Sequence, residues 1–339
     1  MKTGTKIFLL IGILLLALGL TILQIANHRG ISFNAGLVRV PGIHTVSDLN
    51  YDQKGYTVLT DGEESFPAGE VRALKIDWSS GSVDVERYNG STVLVREEAK
   101  RALKENECLR YKLSGGELSI LPCANRVSNL PEKHLTVFIP QGLVLEGLAV
   151  DVSSADVKVS GVETEKTILL ESGSGALHAE DCRCAELSLE SSSGEQRVLR
   201  TEVGGELSSK SSSGDFQAEN LVCAAADLET TSGDKSIDGL LCDKLKLSAS
   251  SGAIRGTALV CGFVESESSS GKVSLAFDAA PAGIEIETSS GDVTLTLPRG
   301  TGINLLFDSS SGKLGGELVR GDLPVDVETS SGDLTIEYR

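Results

Sequence analysis

A Ser-Gly step, mostly Ser-Ser-Gly, recurs along this chain with a spacing that leaves little choice of architecture. Its glycine falls at Gly175, Gly194, Gly214, Gly233, Gly252, Gly271, Gly291, Gly312 and Gly332, with Ala155 in the same slot one unit earlier. Successive gaps are 20, 19, 20, 19, 19, 19, 20, 21 and 20 residues. A period that short, held that tightly, belongs to a repeat array whose units bury their apolar edges only against their neighbours.

Aligning on the glycine sorts the side chains. Seven positions before it stand Leu148, Ile168, Leu187, Leu207, Ala226, Leu245, Val264, Ile284, Leu305 and Val325. Five before stand Val150, Leu170, Leu189, Ser209, Leu228, Leu247, Ser266, Ile286, Phe307 and Val327, and three before the residues are mostly Ser or Thr. Alternate positions of a strand share a face, so these three slots point inward. Two residues after the glycine most units are apolar again, as at Val157, Leu177, Phe216 and Ile254. A second strand therefore leaves each corner. The pattern predicts an all-β, single-stranded parallel β-solenoid, β-helix-like, with coils of about 20 residues. The corner glycine supplies either a backbone with φ > 0 or room for tight coil stacking. The template reaches back to Gly81, flanked by Leu74, Ile76 and Trp78 before and Val83 after, and to Gly116, preceded by Leu109, Tyr111 and Leu113. One repeat domain over 71–339 accounts for all of it.

Ile76-Asp77-Trp78-Ser79-Ser80-Gly81-Ser82-Val83, then Leu118-Ser119-Ile120, Leu135 to Pro140, the ladder of Ser-Ser-Gly-Asp units and the Leu297-Pro298 step resemble the bacterial putative-adhesin family of β-strand-repeat proteins, a domain of unknown function. The resemblance covers about 71–339. It implies a cell-envelope protein of parallel β-helix-like fold, frequently tethered by a transmembrane segment, and it implies no catalytic residue.

The N-terminus carries a separate signal. Ile7 to Ala26 is apolar apart from Thr21 and Gln24, and twenty helical residues span roughly 30 Å, the thickness of a bilayer core. Lys2 and Lys6 precede it, which favours a cytoplasmic N-terminus and an exported remainder. The expected organisation is a cytoplasmic segment 1–6, a transmembrane signal-anchor helix 7–26, a stalk 27–70 and the solenoid 71–339. A single-pass cell-membrane protein with its bulk on the extracytoplasmic side follows. The rival is a cleaved signal peptide, which usually has a shorter apolar run and small residues at the cleavage site.

A net charge of −17 excludes nucleic acid and anionic lipid surfaces as partners and leaves cations, basic proteins and neutral glycans. No catalytic or cofactor-binding residue is expected. Equivalent serines stand before each glycine with only four histidines in the chain, whereas nucleophilic catalysis needs one activated serine with a base in reach. Those serines read as a corner ladder bonding neighbouring coils or the turn backbone. Cys184, Cys223, Cys242 and Cys261 share the slot ten before the glycine, reading as a structural ladder of small hydrophobes, with a disulfide or metal site as alternatives. The slot four before it points outward and is mostly acidic: Glu171, Glu190, Glu229, Glu267, Glu287, Asp308 and Glu328, interrupted by Lys210 and Ser248. That stripe is either a solvated face or an interaction face, leaving room for weak divalent-cation binding. The expected function is a surface-exposed, non-catalytic interaction or display module for an unknown protein or glycan, adhesive in one version. The alternatives are an envelope-stress or regulatory component contacting other membrane proteins, and a polysaccharide-active β-helix enzyme.

Overall fold

The computed structural model describes residues 51–339; the cytoplasmic segment, the anchor helix 7–26 and the first part of the stalk lie outside the described residues. Each coil contributes one strand to each of two long walls, and several coils add a short strand to a third parallel ladder. The first wall holds the strands before the corner, such as Thr167–Ser172 and Glu186–Ser191, paired parallel and in register with Leu170 on Leu189. The second wall holds those after it, such as Asp156–Ser160 and Leu177–Glu180, with Val157 on Leu177. The inward slots of both walls form one continuous apolar core, and Leu170, Leu189, Leu177 and Val159 are fully buried.

The corner glycines sit where they do for lack of space. Of this series only Gly81 has a left-handed φ, at 97°. At the other corners the backbone of one coil lies directly on the carbonyl of the last. A Cβ on Gly252 would stand 1.9 Å from the Gly233 oxygen, and one on Gly271 1.9 Å from the Gly252 oxygen. Flanking side chains complete the turn. The hydroxyl three before the glycine accepts the glycine N–H, as Thr230 does for Gly233 at 3.0 Å and Thr329 for Gly332 at 2.8 Å. The serine before the glycine donates to the neighbouring coil, as Ser270 Oγ does to the Ser250 carbonyl at 3.3 Å. The aspartate after it is a staple between coils: Asp215 accepts the Asp234 N–H and Asp234 accepts the Ala253 N–H, both at 2.8 Å. The hydroxyl three before the glycine, the serine just before it, the glycine itself and the aspartate after it thus each have a separate stacking task.

A second corner follows six residues after the glycine. Gly161, Asp181, Arg200, Asn220, Gly239 and Ala258 all adopt left-handed backbone there, with φ between 45° and 76°. A short segment beyond it carries Cys184, Cys223, Cys242 and Cys261 and leads into the next first-wall strand.

Coils do not stack in chain order at either end. At the C-terminal end Gly283–Thr288 pairs with Leu323–Thr329, which pairs with Ile303–Ser309. The last coil of the chain is therefore inserted between the two before it. The corners follow: a Cβ on Gly332 would meet the Gly291 oxygen at 2.1 Å, and one on Gly312 the Gly332 oxygen at 1.9 Å. At the other end Ala73–Trp78 lies between Glu117–Leu121 and Gly147–Val152.

Two sequence expectations need correction here. Gly116 is no corner. Gly115 and Gly116, with φ of 62° and 89°, turn a hairpin between Arg110–Ser114 and Glu117–Leu121, as consecutive positive-φ residues do. Leu118 and Ile120 consequently pair with Leu74 and Ile76 in the slots that precede a corner. The described end of the stalk is also part of the body. Thr57–Val58 adds antiparallel to Arg110–Ser114 and Glu63–Pro67 to Thr92–Ala99, because Leu59 and Phe66 bury themselves in the core.

The N-terminal end is closed by these antiparallel strands and by a buried ion pair. Lys133 Nζ donates to Glu97 Oε1 at 2.6 Å, to the Glu107 carbonyl at 2.8 Å and to the Pro122 carbonyl, and lies 4.8 Å from the Trp78 ring centroid. Both charged side chains are almost fully buried, and Glu97 also accepts the Leu109 N–H. With its donors used and a cation–π contact added, the lysine ties two loops to the first corner.

Gly252→Ala is expected to destabilise the protein by about 2–3 kcal/mol, because a methyl group cannot share space with a backbone oxygen. Ser250→Ala, at an exposed neighbouring site, should stay within about 0.5 kcal/mol. Denaturant unfolding of the two variants checks this, and equal effects would place the corner elsewhere.

Candidate functional site: an acidic, hydroxyl-lined groove

The bend at each corner decides what the outer surface offers. The residue three before the glycine turns inward to cap it, so the outward residues four and two before it stand on either side of a shallow concavity. Stacked over successive coils, these slots enclose a groove of about 510 Å³. Glu229, Glu267, Glu287, Glu328 and Asp308 line one side and Thr231, Ser250, Ser269, Ser289, Ser330 and Ser310 the other.

Register sets the order of the carboxylates. Glu267 pairs with Glu287, Glu287 with Glu328, and Glu328 with Asp308, so Glu328 rather than Asp308 follows Glu287. All five acids of the groove are exposed. Glu171 and Glu190 belong to the same ladder but lie beyond Lys210, which pairs with both Glu190 and Glu229; they do not reach the groove. Among the described residues no three His, Cys, Asp or Glu side chains converge on a point that could hold a metal ion. A divalent cation would meet carboxylates from strands about 4.8 Å apart and draw most of its shell from water.

Beneath the groove floor lies a side chain the sequence reading passed over. Lys235 occupies the inward slot two after Gly233, where other coils carry Leu177, Phe216 or Ile254, and is 2% exposed. Its Nζ donates to the Ser248 carbonyl at 2.6 Å, directly under the position where the acidic ladder is interrupted. Burial pushes this amine down to about 8, against the opposing pull of Glu229 and Asp234. Its signal was present: a lysine in a column of apolar residues. Gln196 holds the same slot and satisfies itself inside, donating to the Lys210 carbonyl and accepting from Ser209 Oγ.

The cysteines are all free and buried. Cys242 and Cys261 stand with sulfurs 3.4 Å apart, and Cys223 continues the stack, while Val203 separates Cys184 from it. Burial pushes the Cys182 thiol up to about 11 and Cys184 to about 12, so neither is a ready thiolate nucleophile. One serine does meet a histidine. Ser82 Oγ lies 3.0 Å from His134 Nδ1, but the carboxylate of Asp84 accepts from Ser82 rather than from the imidazole. Nothing in that trio orients the ring as a base, and it is remote in sequence and in register from the groove.

Comparison with known proteins places this architecture. The Toastrack DUF4097 family model matches the chain twice in succession, over residues 71–203 and 201–337. No curated protein matches significantly. Among solved structures, one described as a putative adhesin from Bacteroides fragilis aligns at 13% identity with a TM-score of 0.35, covering 84% of this chain and 98% of that one. A second, described as a putative cell adhesion protein from Clostridium sporogenes, aligns at 12% identity with a TM-score of 0.20, covering 82% and 99%.

The buried lysine gives a pH signature. Its folded value of about 8 is below the ordinary 10.5. Below pH 8 the amine is charged in both states and folding carries the whole cost of burying it. As pH rises from about 8 to 10.5 the folded amine sheds its proton before the unfolded one does, so stability should climb. Lys235→Met is expected to stabilise at pH 7 by on the order of 2–3 kcal/mol and to flatten that climb. Urea unfolding at pH 7 and pH 10 measures both, and a climb that persists in Lys235→Met would assign it to another group.

Proposed function

We propose that this chain, which belongs to the Toastrack DUF4097 family, is a non-catalytic interaction module held outside a cell membrane by one N-terminal anchor, with the acidic groove as its recognition face. The observation that carries the reading is the groove's repetition. Successive coils bring a carboxylate or hydroxyl to one side and a hydroxyl to the other. A catalytic cleft needs distinct groups in distinct roles around a single reacting point. A repeating row of acceptors suits an extended ligand that brings donors or positive charge at several points, such as a basic protein segment or a hydroxyl-rich glycan.

The apolar run from Ile7 to Ala26 behind Lys2 and Lys6 supports the anchoring. Among the described residues no helix is long and apolar enough to cross a membrane. An envelope-stress or regulatory role uses the same architecture with a membrane protein as the ligand, and the identity of what is captured separates it from adhesion.

Protease added to intact cells or spheroplasts should remove nearly the whole mass and leave a short membrane stub; full protection would contradict the topology. Cross-linking and capture from intact cells should then recover a partner with the parent chain. The same experiment with Glu267→Gln, Glu287→Gln, Asp308→Asn and Glu328→Gln combined should lose it. Equal recovery with the combined variant would move recognition off the groove.

A further inference from the structure

The two ends of the solenoid are finished differently. At the N-terminal end both walls continue into antiparallel strands and, among the described residues, end at short or proline-ended edges, Thr57–Val58 and Glu63–Pro67. Such edges resist further pairing. The C-terminal end has no equivalent among the described residues. Ile303–Ser309 pairs along its length with Leu323–Thr329 and on its other side only through a single bridge from Ile303 to Arg320, and Leu314–Gly316 pairs only with Leu334–Tyr338.

The open coil is also apolar in the wrong places for a finished end. Leu305 and Phe307 occupy core slots, yet they are only partly buried where Val325 and Val327 beneath them are sealed. Leu306, Leu314 and Leu318 on the same coil are 59%, 43% and 44% exposed, half of the large exposed hydrophobics among the described residues. Charge points the same way. The chain as a whole carries −17, but residues 303–321 carry Asp308 and Glu317 against Lys313 and Arg320, two negative and two positive, for a net of zero. Two copies approaching by this coil meet no net repulsion, whereas almost any other approach is opposed.

We propose that this end is a self-association surface, on which a second copy of the chain docks edge to edge about a two-fold axis. Leu305–Ser309 then pairs antiparallel with its own copy, and the exposed leucines cover one another. The contact is isologous, so it closes as a dimer. Because the opposite end is already capped, no filament grows. The strand Ile303–Ser309 is about 24 Å long and the walls stand about 10 Å apart, so each end presents roughly 240 Å² and two such ends bury roughly 500 Å² in total. That is below the size of a standard specific interface, and the dimer is a weak, reversible one.

Sedimentation velocity of the full chain in detergent, from about 1 to 100 µM, tests this. The parent should shift from monomer to dimer within that range. Leu306→Lys with Leu314→Lys should remain monomeric throughout with an unchanged melting temperature. Leu241→Lys, an equally exposed leucine on another face, should behave like the parent. Lys313→Glu with Arg320→Glu, which takes the end to −4, should be monomeric at low salt and recover the dimer at high salt. A monomeric parent, a dimer that survives the leucine substitutions, or loss of the dimer with Leu241→Lys would overturn the proposal. The first of these accompanied by new protease sensitivity of the N-terminal segment in the leucine variant would assign the surface to that segment instead.

Discussion

The contact on which everything else depends is a glycine resting on the carbonyl of the glycine one coil below. It brings the backbones of successive coils so close at the corner that no side chain fits between them. Once that corner is fixed, parallel strands on either side fall into register, and a one-residue slip would turn every core side chain outward. The neighbours of the glycine hold the contact in place: a hydroxyl caps its N–H, a serine bonds to the next coil, and an aspartate reaches the backbone of its successor. The stack is thus specified coil by coil from local sequence, which is how a chain with few aromatic residues and no globular centre defines one structure.

Much of this is legible in the sequence. The inward slots at seven and five before the glycine, the second strand after it, and the outward acidic ladder all follow from period-two alternation measured from one landmark. The rest was hidden for identifiable reasons. The inversion of coil order at both ends leaves no mark on the period, because Gly312 and Gly332 keep the same spacing whichever lies outermost. The second corner escaped notice since its left-handed residue varies, with Gly161, Asp181, Arg200, Asn220 and Ala258 all serving. Gly116 misled because a hairpin glycine flanked by alternating apolar residues looks like a corner glycine in one dimension. Lys133 and Glu97 pair across 36 residues, a separation for which no local pattern exists.

The candidate site is a by-product of the same corner. Turning one residue inward to cap the glycine leaves its two neighbours facing outward around a shallow trough, and repetition extends the trough into a groove. What differs from coil to coil is only the charge, and Lys210 marks where the acidic run is broken. The sequence located the carboxylates but not the concavity, since alternation says which way a residue points and not how its neighbours curve around it. Lys235, concealed below the floor, places its amine under the gap at Ser248.

If the corner contact rather than chain order dictates stacking, the C-terminal coils must lie in the order 291, 332, 312. Their aspartate staples make this observable, because Asp292 accepts the Asp333 N–H and Asp333 accepts the Lys313 N–H. Amide-to-amide nuclear Overhauser contacts across adjacent coils are the direct measurement. The account predicts contacts from Asp333 to both Asp292 and Lys313, with none between Asp292 and Lys313. A direct contact between Asp292 and Lys313, with Asp333 on the outer rung, would contradict it.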